Sequence, residues 1–118
     1  MRTYIINIIP IGKPRILRGE QGKRAQKWRA WKQHAQLLCK GFSIPDEDAH
    51  IIFHLPIPKS WSAKKREAAI GSAHKSKPDL DNLLKALFDA LYPESDSQFW
   101  DYRATKVWAE NGSIEIII

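Results

Sequence analysis

The sequence predicts an α+β fold in which a mixed sheet of about four strands is covered by two helices. Three observations lead to this prediction. Apolar residues recur at helical spacing in two long segments, they alternate or cluster in four shorter ones, and prolines and glycines fall between the segments. The predicted order is β-α-β-α-β-β. A chain of 118 residues, 43% of them hydrophobic, has room for one core, so we expect residues 1–118 to form a single domain.

The first half of the chain is predicted to form a strand, a helix and a second strand. The apolar run over residues 3–9 predicts the first strand, and a basic loop rich in proline and glycine follows it. A helix is expected over residues 23–40, where Gly41 ends it. After a turn, residues 49–55 predict a strand, which the prolines that follow bring to an end.

The second half is predicted to add a helix and two strands. Residues 59–77 are polar and basic, could contain a short helix over residues 62–69, and are expected to form a substrate-facing loop. A helix then begins, because apolar residues recur at three- and four-residue spacing: Leu80, Leu83, Leu84, Leu87, Phe88 and Leu91. Residues 98–109 alternate as a strand. Asn111-Gly112 is typical of a two-residue hairpin turn, which would join this strand to a partner over residues 114–118.

The most informative stretch is KPDLDNLLK at residues 77–85, which places two carboxylates where the second helix starts. Pro78 fixes its own φ and biases the residue before it toward an extended conformation. Asp79 and Asp81 point the same way only if the helix begins here, because within a helix they would diverge by about 200°. Clustered carboxylate oxygens suit a hard divalent cation, so the motif predicts a Mg²⁺ site.

An ordinary structural role could explain the same motif. An aspartate at the start of a helix often caps it. Asp81, Lys85 and Asp89 also follow one another at four-residue spacing, which is typical of salt bridges on an exposed helix face. The metal-site interpretation therefore needs a second observation.

The second observation is the uneven distribution of charge along the chain. Ten Lys or Arg stand against one acid in residues 1–40, and six against one in residues 59–77, whereas three stand against eight acids from residue 78 onward. A net charge of +6, carried by basic arms around an acidic patch, is typical of a metal-dependent nuclease, whose basic residues neutralise the phosphates of its substrate. A solvated helix face is the simpler explanation for Lys64, Lys65 and Arg66 taken singly.

The ordered motifs over residues 74–106 resemble the RusA-type Holliday junction resolvases. They are KPDLDNL at residues 77–83, Lys85, FDAL at residues 88–91, DSQ at residues 96–98, DYR at residues 101–103, and Lys106. The resemblance implies a homodimeric, Mg²⁺-dependent endodeoxyribonuclease that cuts four-way junction DNA by paired, symmetric nicks in recombination and repair. It also implies that Asp79, Asp81 and Asp96 bind the metal and that Lys85 is a catalytic lysine. The chain departs from the family pattern at Ser95, where an acid is usual.

Other residues are assigned less directly. We expect contacts to the DNA backbone, which carry no sequence information, from five residues: Arg15, Arg18, His74, Lys75 and Lys77. A solvent-exposed loop position is the alternative for His74. His50 and His54 are expected to be structural or surface residues rather than zinc ligands. The lone Cys39 is expected to be buried. We expect a cytoplasmic protein, prokaryotic or phage-encoded, that binds no small-molecule cofactor and no membrane.

Two rival functions remain open at this point. One is a module that binds branched DNA through its basic arms without cutting it. The other is a nuclease with a similar site that acts on flaps or on RNA.

Overall fold

The computed structural model describes residues 2–17, 19–94 and 96–118, with Asp96 described by its main chain alone. These residues form seven helices and strands in the order β1 (Thr3–Ile6), α1 (Lys23–Leu38), β2 (Glu47–Pro56), α2 (Ala63–Ala69), α3 (Leu80–Leu91), β3 (Asp101–Ala109) and β4 (Ser113–Ile117). A 3₁₀ turn, Asp96–Gln98, leads into β3. The predicted α+β class and the predicted order are confirmed, with α2 as the short helix inside the basic segment.

The four strands form one mixed sheet in the order β1-β4-β2-β3. β2 runs parallel to β3, whereas β4 lies antiparallel to both β1 and β2. Alternate side chains of β2 belong to the hydrophobic core: Ala49, Ile51, Phe53 and Leu55. α3 adds Leu83, Ala86, Leu87, Phe88 and Ala90 to that core and packs against α1 and β3. The amphipathic helix predicted from the apolar spacing is therefore confirmed.

The predicted hairpin at Asn111-Gly112 is wrong. β3 and β4 are not neighbours, because β2 lies between them, so their connection passes the end of β2 instead of folding back on β3. Neither Asn111 nor Gly112 has the positive φ that such a hairpin turn requires. Gly112 serves close packing instead, since a Cβ there would lie 3.0 Å from the Cα of Ile9.

The bounds of β2 and β4 differ from the prediction by one or two residues, and α1 ends at Leu38 rather than at residue 40. The larger differences are in β1 and β3, because each of these strands stops where its partner does. β1 ends at Ile6, which pairs with Ile114 near the start of β4, rather than at residue 9. β3 begins at Asp101, which pairs with Glu47, the first residue of β2, rather than at residue 98. The length of a strand thus depends on its pairing with a distant segment, and the local sequence pattern carries no information about that pairing.

Several side chains outside the motif also have defined surroundings. His50 bonds to Thr105 through Nε2 and Oγ1 (2.9 Å), and His54 pairs with Glu115 (3.0 Å), which supports structural roles for both histidines. Cys39 is buried as expected, and this burial raises the pKa of its thiol. No helix in the described part of the chain is long and apolar enough to cross a membrane.

Candidate active site

The two described carboxylates of the motif lie at the start of α3. Asp79 is the N-cap residue, with φ −66° and ψ 147°, and α3 begins at Leu80. The prediction that a helix begins at this motif is confirmed. Asp81 therefore falls in the first turn of α3, where the helix dipole favours negative charge. Both side chains are exposed to solvent.

Neither carboxylate takes the structural role that would make the motif ordinary. The side chain of Asp79 makes no capping hydrogen bond. Asp81 accepts a hydrogen bond from the main-chain N–H of its neighbour Asn82, at 3.0 Å. Among the described residues, no salt bridge joins Lys85 to Asp81 or to Asp89, so the predicted ladder of charges along α3 is not formed. Within the described structure, the Asp79 carboxylate therefore has no hydrogen-bond or salt-bridge partner, and Asp81 keeps its second carboxylate oxygen for a ligand.

The third predicted acid, Asp96, stands at the first position of the 3₁₀ turn that precedes β3. Its side chain and Ser95 lie outside the described part of the structure. Among the side chains that are described, no three or more His, Cys, Asp or Glu form a group that could hold a metal ion. A site made of Asp79, Asp81 and Asp96 therefore stays a prediction.

A cleft with three cationic residues in its wall lies beside the start of α3. Its volume is about 510 Å³, and it is lined by Lys13, Pro14, Arg15, Ile16, Asn82 and Lys85. The structure thus brings together Arg15 and Lys85, two predicted site residues that are far apart in the sequence. The side chain of Lys85 is exposed.

Lys13 is a cleft residue that the sequence analysis did not single out. The loop that carries it closes on α3, because the Lys13 main-chain N–H donates to the carbonyl oxygen of Asn82 at 3.1 Å. A Cβ on Gly12 would lie 3.1 Å from the Cβ of Pro78. The sequence signal that could have pointed to Lys13 is its neighbour Gly12, because a glycine lets the loop after β1 approach the start of α3 closely.

The loop that leads to Asp79 is held by Lys106 of β3. The Nζ of Lys106 donates hydrogen bonds to the carbonyl oxygens of Ser76 (2.6 Å) and Pro78 (2.8 Å). Lys75 and Lys77, two of the predicted DNA contacts, lie on this loop with exposed side chains. The contacts predicted for them are compatible with this exposure. Arg18, another predicted contact, lies outside the described residues.

His74 lies in the interior of the protein. Its side chain is 5% exposed, and its ring packs on Trp108 with the centroids 4.0 Å apart. Burial lowers the pKa of His74, and the positive charge of Lys106 lowers it further. Nδ1 is buried and has no hydrogen-bond partner among the described residues. The exposed-loop alternative is therefore wrong, whereas a phosphate contact of His74 stays a prediction.

A family model described as Endodeoxyribonuclease RusA matches residues 7–118. The match spans the basic cleft, the acids at the start of α3, and β3 with Lys106. No curated protein matches the sequence.

Proposed function

We propose that this chain, which belongs to the RusA family of endodeoxyribonucleases, resolves Holliday junctions by paired, symmetric nicks that depend on Mg²⁺. Its family makes it a nuclease that hydrolyses DNA phosphodiesters and acts on branched DNA in recombination. The observation that carries the finer proposal is the pair of exposed carboxylates at the start of α3, which form no salt bridge in the described structure and lie beside a cleft with cations in its wall. A protein that only binds DNA has no use for such acids, because they repel the backbone.

The donors at the start of α3 fit a hard divalent cation. Asp79 and Asp81 offer carboxylate oxygens that neither a cap nor a salt bridge within the described structure uses. Mg²⁺ prefers such oxygens together with retained waters. We propose that Asp79, Asp81 and Asp96 hold this ion. When bound, it supplies positive charge against the reacting phosphate and promotes deprotonation of the attacking water.

The chain's own cations are proposed to orient the DNA and to stabilise the transition state. Lys85 lies in the cleft without a salt bridge among the described residues, so its ammonium is available to donate to a phosphate oxygen as negative charge develops there. Arg15, in the same cleft, and the exposed Lys75 and Lys77 are placed to neutralise neighbouring phosphates. We assign Arg18 to this group from the sequence alone. His74 is buried and its pKa is lowered, so it is not one of these cations, and the phosphate contact predicted for it rests on the sequence alone.

The symmetry of the reaction leads us to propose a homodimer. A four-way junction has two-fold symmetry, and a two-fold pair of chains would present two identical sites to its opposed strands. In this proposal, residues 1–118 form one domain of each subunit, and the protein is cytoplasmic and either prokaryotic or phage-encoded.

The proposed function is tested by cleavage of a synthetic mobile four-way junction. A flap, a linear duplex and an RNA of the same sequence serve as parallel substrates, each with Mg²⁺ or with a chelator. We expect symmetric nicks in opposed strands of the junction alone, and only with Mg²⁺. Equal cleavage of flaps, duplex or RNA would instead support a nuclease with another target. Junction binding without any cleavage would support the non-catalytic module.

A further inference from the structure

Residues 75–78 form the loop before Asp79, and this loop lies between two segments that are held by main-chain hydrogen bonds. On one side, residues 71–74 pair with the edge of β3: the N–H of Gly71 donates to Trp108 O (2.8 Å), and the N–H of His74 donates to Lys106 O (3.2 Å). On the other side, the N–H of Leu83 donates to Asp79 O (3.1 Å), which starts the hydrogen bonding of α3. Residues 75–78 lie between these two segments and belong neither to the pairing with β3 nor to α3.

The main chain of residues 75–78 is held mainly by one side chain. The Nζ of Lys106 donates hydrogen bonds to Ser76 O and Pro78 O. The main chain of Ser76 also acts on the ring of His74 and raises its pKa, against the larger lowering by burial. Pro78 has no N–H, so it cannot donate to a neighbouring strand. A charged ammonium donor makes shorter and stronger bonds than a neutral one. The two bonds therefore hold the two ends of Ser76-Lys77-Pro78, and the next residue is Asp79.

The position of Lys106 in the sheet is unusual for a lysine. It is paired in register with Phe53, a core residue that is 0% exposed, so its side chain leaves the sheet on the same face as Phe53. Lys106 is half-buried there, so part of its charge is shielded from water and is stabilised by hydrogen-bond acceptors nearby. No carboxylate in the described structure pairs with Lys106. Its partners are the two carbonyl groups beside Asp79.

We propose that Lys106 is a positioning residue of this nuclease, which fixes the loop at Ser76 and Pro78 and thereby sets where the Asp79 carboxylate lies. The inference rests on the proposed function in one respect, the binding of Mg²⁺ by Asp79. Lys106 acts through the main chain and does not touch the metal or the reacting phosphate. Groups that orient a metal ligand in this indirect way typically change metal affinity or activity about 10- to 100-fold when they are removed.

Three variants test the role of Lys106. Lys106→Met keeps most of the aliphatic length and removes the donor, whereas Lys106→Arg keeps the charge and the ability to donate. The matched control is Lys64→Met, which makes the same change of charge at an exposed lysine of α2. The side chain of Lys64 makes no hydrogen bond in the described structure. Should Lys106→Met fail to fold, Lys106→Gln takes its place.

Two measurements are made without DNA. The first is the ¹⁵N order parameter of the amides of Ser76, Lys77 and Asp79 in metal-free protein. We expect a rigid value of about 0.85 in wild type and a value below about 0.6 in Lys106→Met. The second is the calorimetric affinity for Mg²⁺, which we expect to fall about 10- to 100-fold in Lys106→Met and to recover in part in Lys106→Arg. Lys64→Met should match wild type in both.

The possible outcomes separate this inference from the proposed function. Unchanged order parameters in Lys106→Met would overturn the inference, and so would lower order parameters with an unchanged Mg²⁺ affinity. A loss of metal-free junction binding with wild-type order parameters would make Lys106 a DNA contact and would also overturn it. If wild type neither binds Mg²⁺ nor cuts junctions, the proposed function fails, and the order parameters alone decide whether Lys106 fixes Asp79.

Discussion

The main-chain N–H of Lys13 donates to the carbonyl oxygen of Asn82 at 3.1 Å, and this bond joins the loop after β1 to the first turn of α3. The basic N-terminal segment is thereby placed beside the acidic motif, although the two are far apart in the sequence. Lys13, Arg15 and Lys85 consequently line one cleft. Cations of the first half of the chain therefore lie next to the helix that begins at the acidic motif, which is the arrangement that our proposal of a metal-dependent nuclease requires.

Removing the charge of either acid should abolish cleavage and preserve DNA binding. In Asp79→Asn and Asp81→Asn, we expect nicking of a four-way junction to be lost, because the metal ligands are lost. Binding measured without metal should persist or tighten, since a carboxylate that repels phosphate has been removed. The matched control is Asp89→Asn, on the same helix. Cleavage by Asp79→Asn at the wild-type rate would refute the assignment of Asp79.

Lys85 should contribute to the rate more than to binding. Lys85→Met removes a donor that we place against the phosphate in the transition state, so kcat should fall about 10²- to 10³-fold. The junction affinity should change little, because several other cations contact the backbone. Lys40→Met, at an exposed lysine after α1, makes the same charge change as a control. Equal losses of binding and of rate would reassign Lys85 to simple backbone contact. Single-turnover cleavage and gel-shift titrations separate the two quantities.

Gly112 should be intolerant of a side chain. A Cβ at this position meets Ile9 Cα and Cγ1 at 3.0 Å, so Gly112→Ala should lower the free energy of unfolding by about 1–3 kcal/mol. Urea denaturation of Gly112→Ala and of wild type measures the difference. An unchanged free energy of unfolding would contradict the close approach of the β3–β4 connection to Ile9.

His74 should make stability depend on pH. Because the folded protein lowers the pKa of His74, its neutral form is favoured, and the stability that this provides is present above the ordinary value of 6.5. It is lost as the pH falls from 6.5 toward the lower folded pKa. The ring faces Trp108, and Lys106 is the charged group that opposes its protonation. His74→Phe keeps a ring on Trp108 and removes the titration.

This prediction is checked by comparing how the free energy of unfolding depends on pH in wild type and in His74→Phe. Urea denaturation on both sides of pH 6.5 should show that wild type loses more stability on acidification than His74→Phe does. Because the two proteins differ only at residue 74, the difference between their pH profiles isolates the contribution of His74. Identical pH profiles would show that His74 titrates in the folded state as it does in the unfolded chain.

The features that the sequence predicted well are those that neighbouring residues determine. The start of α3 follows from Pro78 and the aspartates beside it, and its buried face follows from the spacing of its leucines. The Asn111-Gly112 prediction failed because pairing of β4 with both β1 and β2 overrides a local turn preference. The contact of Lys106 with Ser76 and Pro78 could not be predicted from local sequence either. It joins β3 to the loop before α3, and only the tertiary structure brings these segments together.

The central claim is that Asp79 and Asp81 hold a divalent metal ion in a nuclease site. Its most direct test is a crystal grown with Mn²⁺, which accepts the same oxygen ligands as Mg²⁺ and gives an anomalous signal. The account predicts an anomalous peak at about 2.0–2.3 Å from carboxylate oxygens of both residues, with Asp96 as the third ligand. A map with no peak beside Asp79 and Asp81, at a Mn²⁺ concentration that supports junction cleavage, would contradict it.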